Sequence, residues 1–265
     1  MKRILLMCAA LLSASLLHAG DTIKLKSFTD GDFAAKRIQG MRPLEGSDEY
    51  AQISADGGKV VAFSFRTGKQ VRTLFDVKDT KGETIKSFDD YEITADGKHM
   101  LIQTNYKRIY RRSFTADFYI YNIEDKSLRK LSEGGSEQIP TFSPDGKKIA
   151  FVRKNNIFIT DGKEEKQITT DGKFNEIING LPDWVNEEEF SFNNALAWGA
   201  DSKTLSWIKY DESNVKSYSL QMFKGSHPSL DDNAEYPGLY SYKYPKAGQE
   251  NSKVSAWCYD LTTGQ

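Results

Sequence analysis

The stretch IPTFSPDGKKIAFVR, Ile139–Arg153, carries the pattern that decides the fold. A short apolar lead runs into Ser-Pro-Asp-Gly, and the alternating strand IAFVR follows two lysines. Asp-Gly between two such runs predicts a tight hairpin, because glycine tolerates positive φ and the aspartate bonds to its own local backbone. The design recurs in YAQISADGGKVVAFSF from Tyr50, YEITADGKHMLIQTN from Tyr91 and ALAWGADSKTLSWIKY from Ala195. The turn aspartates Asp56, Asp96, Asp145 and Asp201 stand 40, 49 and 56 residues apart.

More strand-like runs follow: VRTLFDVKD, FTADFYIYNIEDKSLRKLS and NIFITDGKEEKQIT after the first three repeats, and KVSAWCYDLTTGQ at the end. Four short antiparallel strands repeated about every 40 to 50 residues are the sequence signature of a β-propeller blade. The chain therefore reads as all-β, with four blades of four antiparallel strands over 45–88, 89–135, 136–172 and 190–265. Within the last, the polar, Pro- and Gly-bearing MFKGSHPSLDDNAEYPGLYSYKYPKAGQENS reads as a looped insertion. Each blade needs a neighbour on both sides, since an open end leaves apolar faces and strand edges exposed. The expectation is an incomplete eight-bladed propeller.

The first residues stand apart. Met1, Lys2 and Arg3 precede an apolar run from Ile4 to Leu17 and then LHAGD, which reads as a signal peptide over 1–19, too short to span a membrane. Residues 20–265 would then be the propeller portion of an exported protein, periplasmic, cell-surface or secreted. Without Lys2 and Arg3, 34 basic residues face 37 acidic ones, a net charge of about −3 that argues against nucleic acid as a partner. Cys258 is the only cysteine beyond residue 19, so no internal disulfide forms, and SAWCYDL reads as a buried strand. His99 and His227 lie in no pattern that marks a catalytic base or a metal ligand, and neither metal nor cofactor is expected.

DWVNEEEFSFNNALAW, Asp183–Trp198, sets Glu187, Glu188 and Glu189 in a row among aromatics. Three such charges repel unless water screens them or a fixed cation compensates them. The plain reading is a solvated turn, or a helix start capped by Asp183 after Pro182. The functional reading needs a helical turn, in which adjacent side chains diverge by about 100° and two long carboxylates still converge on one point. Their natural guest is a compact ammonium with three donors, a lysine head or a peptide N-terminus. The basic residues Lys107, Arg108, Arg111 and Arg112 read, by themselves, as a solvated edge.

The segment NGLPDWVNEEEFSFNNALAWGADSKTLSWIKYDES, Asn179–Ser213, resembles the dipeptidyl peptidase IV family of serine exopeptidases, whose propeller carries N-G-x-x-D-W-V-x-E-E-E. YRRSFTADFYIYNIEDKSL from Tyr110 is similar to a second family segment, an aromatic residue and arginine ahead of S-[YF]-T-A. KYPKAGQENSKV from Lys243 resembles Y-P-K-A-G-x-x-N-P-x-V, with Ser252 in place of the proline. The resemblance implies that Glu188 and Glu189 grip the α-ammonium of a peptide substrate and that Arg111 hydrogen-bonds its backbone carbonyl, leaving Glu187 without that role. It also implies release of dipeptides, typically after proline or alanine, by a Ser, Asp and His triad in a following α/β-hydrolase domain, and a possible homodimer of the complete protein.

No G-x-S-x-G nucleophile elbow occurs here, so no catalytic residue is assigned and the chain is expected to be inactive alone. Its partners would be peptides with a free N-terminus and the hydrolase domain of the same parent protein. A non-enzymatic exported propeller that binds a peptide, glycan or protein partner is the alternative reading.

Overall fold

Three of the four repeat turns are built by the same side-chain bond. The hydroxyls of Ser54, Thr94 and Ser143 donate to Oδ1 of Asp56, Asp96 and Asp145 at 2.6, 2.7 and 2.7 Å. The residue after each aspartate takes the left-handed conformation: Gly57, Gly97 and Gly146 at φ of 70°, 68° and 69°, and in the fourth repeat Ser202 at 60°. Ser202 is no glycine, but its Oγ accepts the N–H of Asp145 at 3.0 Å, a contact between the third and fourth turns.

These turns organise the strands of a computed structural model whose described residues are 24–35, 40–223 and 235–265. The chain divides into two compact units, Met1–Gln39 and Gly40–Gln265. The signal-peptide reading, over 1–19, and His227 lie outside the described residues. In the first unit a short helix, α1, spans Leu25–Thr29. No helix among the described residues is long and apolar enough to cross a membrane.

The second unit is all-β. Its first sheet joins β1 (Arg42–Pro43), β2 (Glu49–Ile53), β3 (Lys59–Ser64) and β4 (Gln70–Asp76) in that order. The second has β6 (Asp90–Ile93), β7 (His99–Arg108), β8 (Phe114–Asn122) and β9 (Ser127–Lys130) as an antiparallel meander, with β5 (Lys81–Gly82) added parallel to β9. The third is β10 (Gln138–Phe142), β11 (Ile149–Arg153), β12 (Asn156–Thr160) and β13 (Glu165–Gln167).

Alternation along the strands makes these sheets stack. On β7, Met100 and Ile102 pack with Val60, Ala62 and Phe75 of the first sheet, whereas Leu101 between them packs with Phe151 and Phe158 of the third. On β11 the parity repeats: Ile149 and Phe151 face the second sheet, and Ala150 and Val152 join Leu205 and Trp207 of the fourth. Successive side chains of a strand point to opposite faces, so a sheet covered on both sides needs consecutive apolar residues, as IAFV and the central IFI of NIFIT supply.

The fourth sheet departs from the sequence reading. Its long strand β16 (Thr204–Asp211) pairs with β19 (Lys253–Asp260) along one edge. Along the other edge lie β14 (Ile177–Asn179), against residues 209–211, and β15 (Leu196–Trp198), against residues 205–207. The sheet therefore begins before residue 190, because two short strands set end to end share one edge of β16. The expected loop is also corrected: β17 (Ser217–Met222) and β18 (Gly238–Lys243) form a six-residue antiparallel ladder. Cys258 does lie on a strand, yet it is exposed, since β19 pairs only with β16 among the described residues and its outer face is uncovered.

Candidate functional site

The acidic helix exists because the chain leaves the fourth sheet between β14 and β15 and returns to the same place. Gly180 N–H donates to the carbonyl of Ile208 at 3.1 Å and Ile208 N–H to that of Ala195 at 2.9 Å. Ala195 N–H closes the foot on Gly180 C=O at 2.9 Å. Gly180 sits at φ 78°, and a Cβ there would press within 3.2 to 3.3 Å of Val152 and Ile157, so a side chain is disfavoured by conformation and by space. Asn179 is buried and binds three ways: its amide donates to Asp171 Oδ1 at 2.9 Å and to Asn155 C=O at 3.3 Å, and its Oδ1 accepts Trp207 Nε1–H at 3.3 Å.

Between these feet stands α2, Trp184–Phe190. Asp183 caps it, Oδ1 accepting Asn186 N–H at 2.8 Å, while its Oδ2 accepts the hydroxyl of Ser252. A proline at 252 could not donate that bond, so Ser252 ties the start of β19 to the helix cap. Trp184 lies against Tyr244 at 4.4 Å and Tyr242 at 5.7 Å between ring centroids, and Tyr242 in turn meets Tyr110 at 5.9 Å. The β17–β18 hairpin and the segment after it thus form an aromatic buttress behind the helix.

The three glutamates have three different surroundings. Glu187 is buried at 1% exposure, and one of its oxygens, Oε1, accepts the N–H groups of Arg112 at 2.7 Å and Ser113 at 2.9 Å. Glu188, with a side chain 16% exposed, receives Arg111 Nε at 3.1 Å on Oε2. Glu189 is exposed, and its side chain has no hydrogen-bond or ion-pair partner among the described residues. The structure thus brings Arg111 to Glu188, and not to Glu189.

Arg111 sits on the loop 109–113 between β7 and β8, and its side chain is 66% exposed. Arg108 and Arg112, read as a solvated edge, brace this loop. Arg108 donates through Nε to Tyr110 C=O at 2.8 Å and through Nη2 to Arg111 C=O at 3.2 Å. Arg112 reaches Glu187 C=O at 3.3 Å and Ser191 Oγ at 2.9 Å, at the end of α2. Nothing in the local pattern around Arg112 or Glu187 announces their contacts, because the partners lie 74 to 79 residues apart in the chain.

A cavity of about 110 Å³ opens beside the helix, lined among others by Tyr110, Ser113, Trp184, Glu187, Glu212 and Lys243. Burial, with Asp183 close by, pushes the Glu212 carboxyl up to about 7 against the pull of Lys243. Burial also raises the Tyr110 phenol well above its ordinary value, helped by Tyr240, Glu212 and Glu187, so it stays protonated. His99 begins β7. Among the described residues no group of three or more His, Cys, Asp or Glu side chains is placed to hold a metal ion.

The arrangement offers two carboxylates on one short helix, one held by a guanidinium and one unpaired, beside an exposed arginine with spare donors. An ammonium can be received by the acids and a carbonyl by the arginine.

The chain is similar to known proteins over most of its length. The family model described as the dipeptidyl peptidase IV N-terminal region matches residues 94–265. A probable dipeptidyl-aminopeptidase B of Verticillium alfalfae is 36% identical over 248 residues, 89% of this chain and 27% of that protein. That of Coccidioides posadasii is 37% identical over 176 residues, 63% of this chain and 19% of the relative. Among solved structures, dipeptidyl peptidase 4 of Porphyromonas gingivalis superposes with a TM-score of 0.85 at 37% identity, covering 94% of this chain and 35% of that one. This chain spans 19% and 27% of the two curated relatives.

Proposed function

We propose a function from one premise: this chain belongs to the dipeptidyl peptidase IV family, as part of its N-terminal region. Its first four sheets act as consecutive blades of an eight-bladed propeller in an exported serine dipeptidyl peptidase, with residues 1–19 as the signal peptide. In support, the first sheet and the fourth each pack on a single neighbouring sheet among the described residues, while the two between them are covered on both faces.

The role of the chain is to bind the free N-terminus of a peptide. Glu188 and Glu189 take the α-ammonium, and Arg111 takes a backbone carbonyl of the same substrate. Anchoring the amino end at a fixed point leaves room for two residues before a nucleophile supplied by an α/β-hydrolase domain of the parent protein, so position sets the cut. The chain's own part is to bind and orient; the bond is broken elsewhere.

The observation that carries this reading is the 3.1 Å contact of Arg111 with Glu188 on a helix that leaves Glu189 open to solvent. A charge-assisted hydrogen bond is worth about 1.5 to 3 kcal/mol, so removing one acid should be measurable. Isothermal calorimetry of the 265-residue chain with a Gly-Pro peptide and with its N-acetyl form is the direct test. Binding of the free amine alone is expected; equal affinity for both forms would refute the role of the acids. In a complete enzyme, Glu188→Gln or Glu189→Gln should lower kcat/KM for an Ala-Pro reporter.

A further inference from the structure

We infer that Glu187, the one glutamate of the three with no ligand contact assigned, is a positioning residue that holds the Arg111 loop against the helix bearing Glu188 and Glu189. The inference rests on reading that helix and loop as the ammonium site.

The loop 109–113 is held at Tyr110, whose ring meets that of Tyr242 at 5.9 Å, and by the bonds that follow. Ile109 and Tyr110 N–H groups turn back on Ser113 C=O at 2.9 and 3.3 Å, a purely local closure. The carbonyls of Tyr110 and Arg111 are met by Arg108 from the same strand end. Attachment to the helix comes through Glu187 Oε1, which gathers the N–H groups of Arg112 and Ser113, through the guanidinium of Arg112 on Glu187 C=O and Ser191 Oγ, and through Asn193 Nδ2 on Arg112 C=O at 3.0 Å.

Of these, only the carboxylate is both charged and buried. Two consecutive N–H groups converge on one oxygen only when the backbone takes this turn, so the carboxylate selects that loop conformation. The cost of leaving a buried carboxylate unbonded enforces the choice. Its charge is taken up by backbone donors and not by Arg111, whose guanidinium stays on Glu188 and available to a substrate carbonyl. The glutamate row thus divides its work: the first member sets where Arg111 stands, and the other two face the guest.

The test uses the 265-residue chain and the tripeptide Ala-Pro-Ala, free and N-acetylated, read by calorimetry. Glu187→Ala should weaken free-amine binding about tenfold or more, as displacement of a positioned group does, with the acetylated form unaffected. Glu187→Gln retains the Oε1 acceptor and should stay within about threefold of the parent. In an Arg111→Ala background, Glu187→Ala should cost about twofold at most, because it acts through Arg111. Losses that multiply, or wild-type binding by Glu187→Ala, overturn the inference.

Should the alanine variant not fold, Glu187→Asp, one methylene too short to reach both N–H groups, takes its place with the same expected loss. Amide exchange of Arg112 and Ser113 reads the loop separately: protection lost in Glu187→Asp and kept in Glu187→Gln supports the weld, and unchanged protection refutes it. Glu188→Gln separates the two claims. If it leaves the preference for the free amine intact, the ammonium site fails while amide exchange still decides the role of Glu187; if it abolishes the preference and neither Glu187→Ala nor Glu187→Asp weakens binding, only the positioning fails.

Discussion

The third and fourth sheets start from the same repeat and end differently. IPTFSPDGKKIAFVR folds into a meander with short connections, and β12 is buried along its whole length. ALAWGADSKTLSWIKY folds into a similar pair, but the chain breaks away before β15 to make α2 and after β16 to make the β17–β18 hairpin. The third sheet spends its residues on packing against two neighbours. In the fourth, two excursions built on one long strand create a helix with three acids at three depths, only Glu189 exposed, and the aromatic wall behind it. The candidate site lies where the repeat is interrupted.

That contrast can be broken by mutation. The largest effect belongs to the third sheet: Phe151→Ala, fully buried between the second and third sheets, should cost about 3 to 5 kcal/mol in urea unfolding. Trp257→Ala on the open face of β19, half exposed, should cost about 1 kcal/mol or less. Equal losses would erase the distinction.

Two buried acids sharpen it through pH. Glu137, close to the third sheet, is pushed up to about 8 by burial and by Asp117 nearby, opposed by the Phe118 N–H and Arg153, and Glu212, next to the helix, to about 7. An unfolded glutamate titrates near about 4.3, so from there to about 7 or 8 the folded state holds the extra protons. Stability due to these groups is complete below that window and is lost as pH rises through it. The thermal midpoint should fall between pH 5 and 8.5, and Glu137→Gln with Glu212→Gln should flatten the fall while changing little at pH 4. A parallel decline in the double variant would assign the slope to other groups.

Asn179→Ala strands the indole N–H of Trp207 and loosens a foot of the excursion, at about 1 to 3 kcal/mol by chemical denaturation. The smallest change in stability is expected for Arg111→Ala: its side chain is 66% exposed, so its pair with Glu188 is worth about 1 kcal/mol at most, while affinity for a free N-terminus drops. A large loss of stability there would make Arg111 a structural residue first.

Much of this was legible in the chain. The Asp-Gly turns, the alternation along β7 and β11, and the Asp183 cap of α2 are written in neighbouring residues, because turn and cap chemistry acts over two to five positions. The β17–β18 ladder was not, since its polar and glycine-rich surroundings mimic a loop and its strands are held by pairing and by Trp184. The exposure of Cys258 was likewise hidden: a strand pattern says nothing of whether a neighbour covers its outer face. Glu188 and Arg111 could be named from motifs, whereas Glu187 looked like one more surface charge.

The sequence by itself determined the repeat, the strand and turn chemistry, the Asp183 cap signal and the family resemblance, since each depends on spacing along the backbone. Only the tertiary structure decided which glutamate is buried, which faces Arg111 and which stays open. Those differences arise when the loop after β7 meets α2 across the sheets, and an electrostatic environment belongs to a place in space.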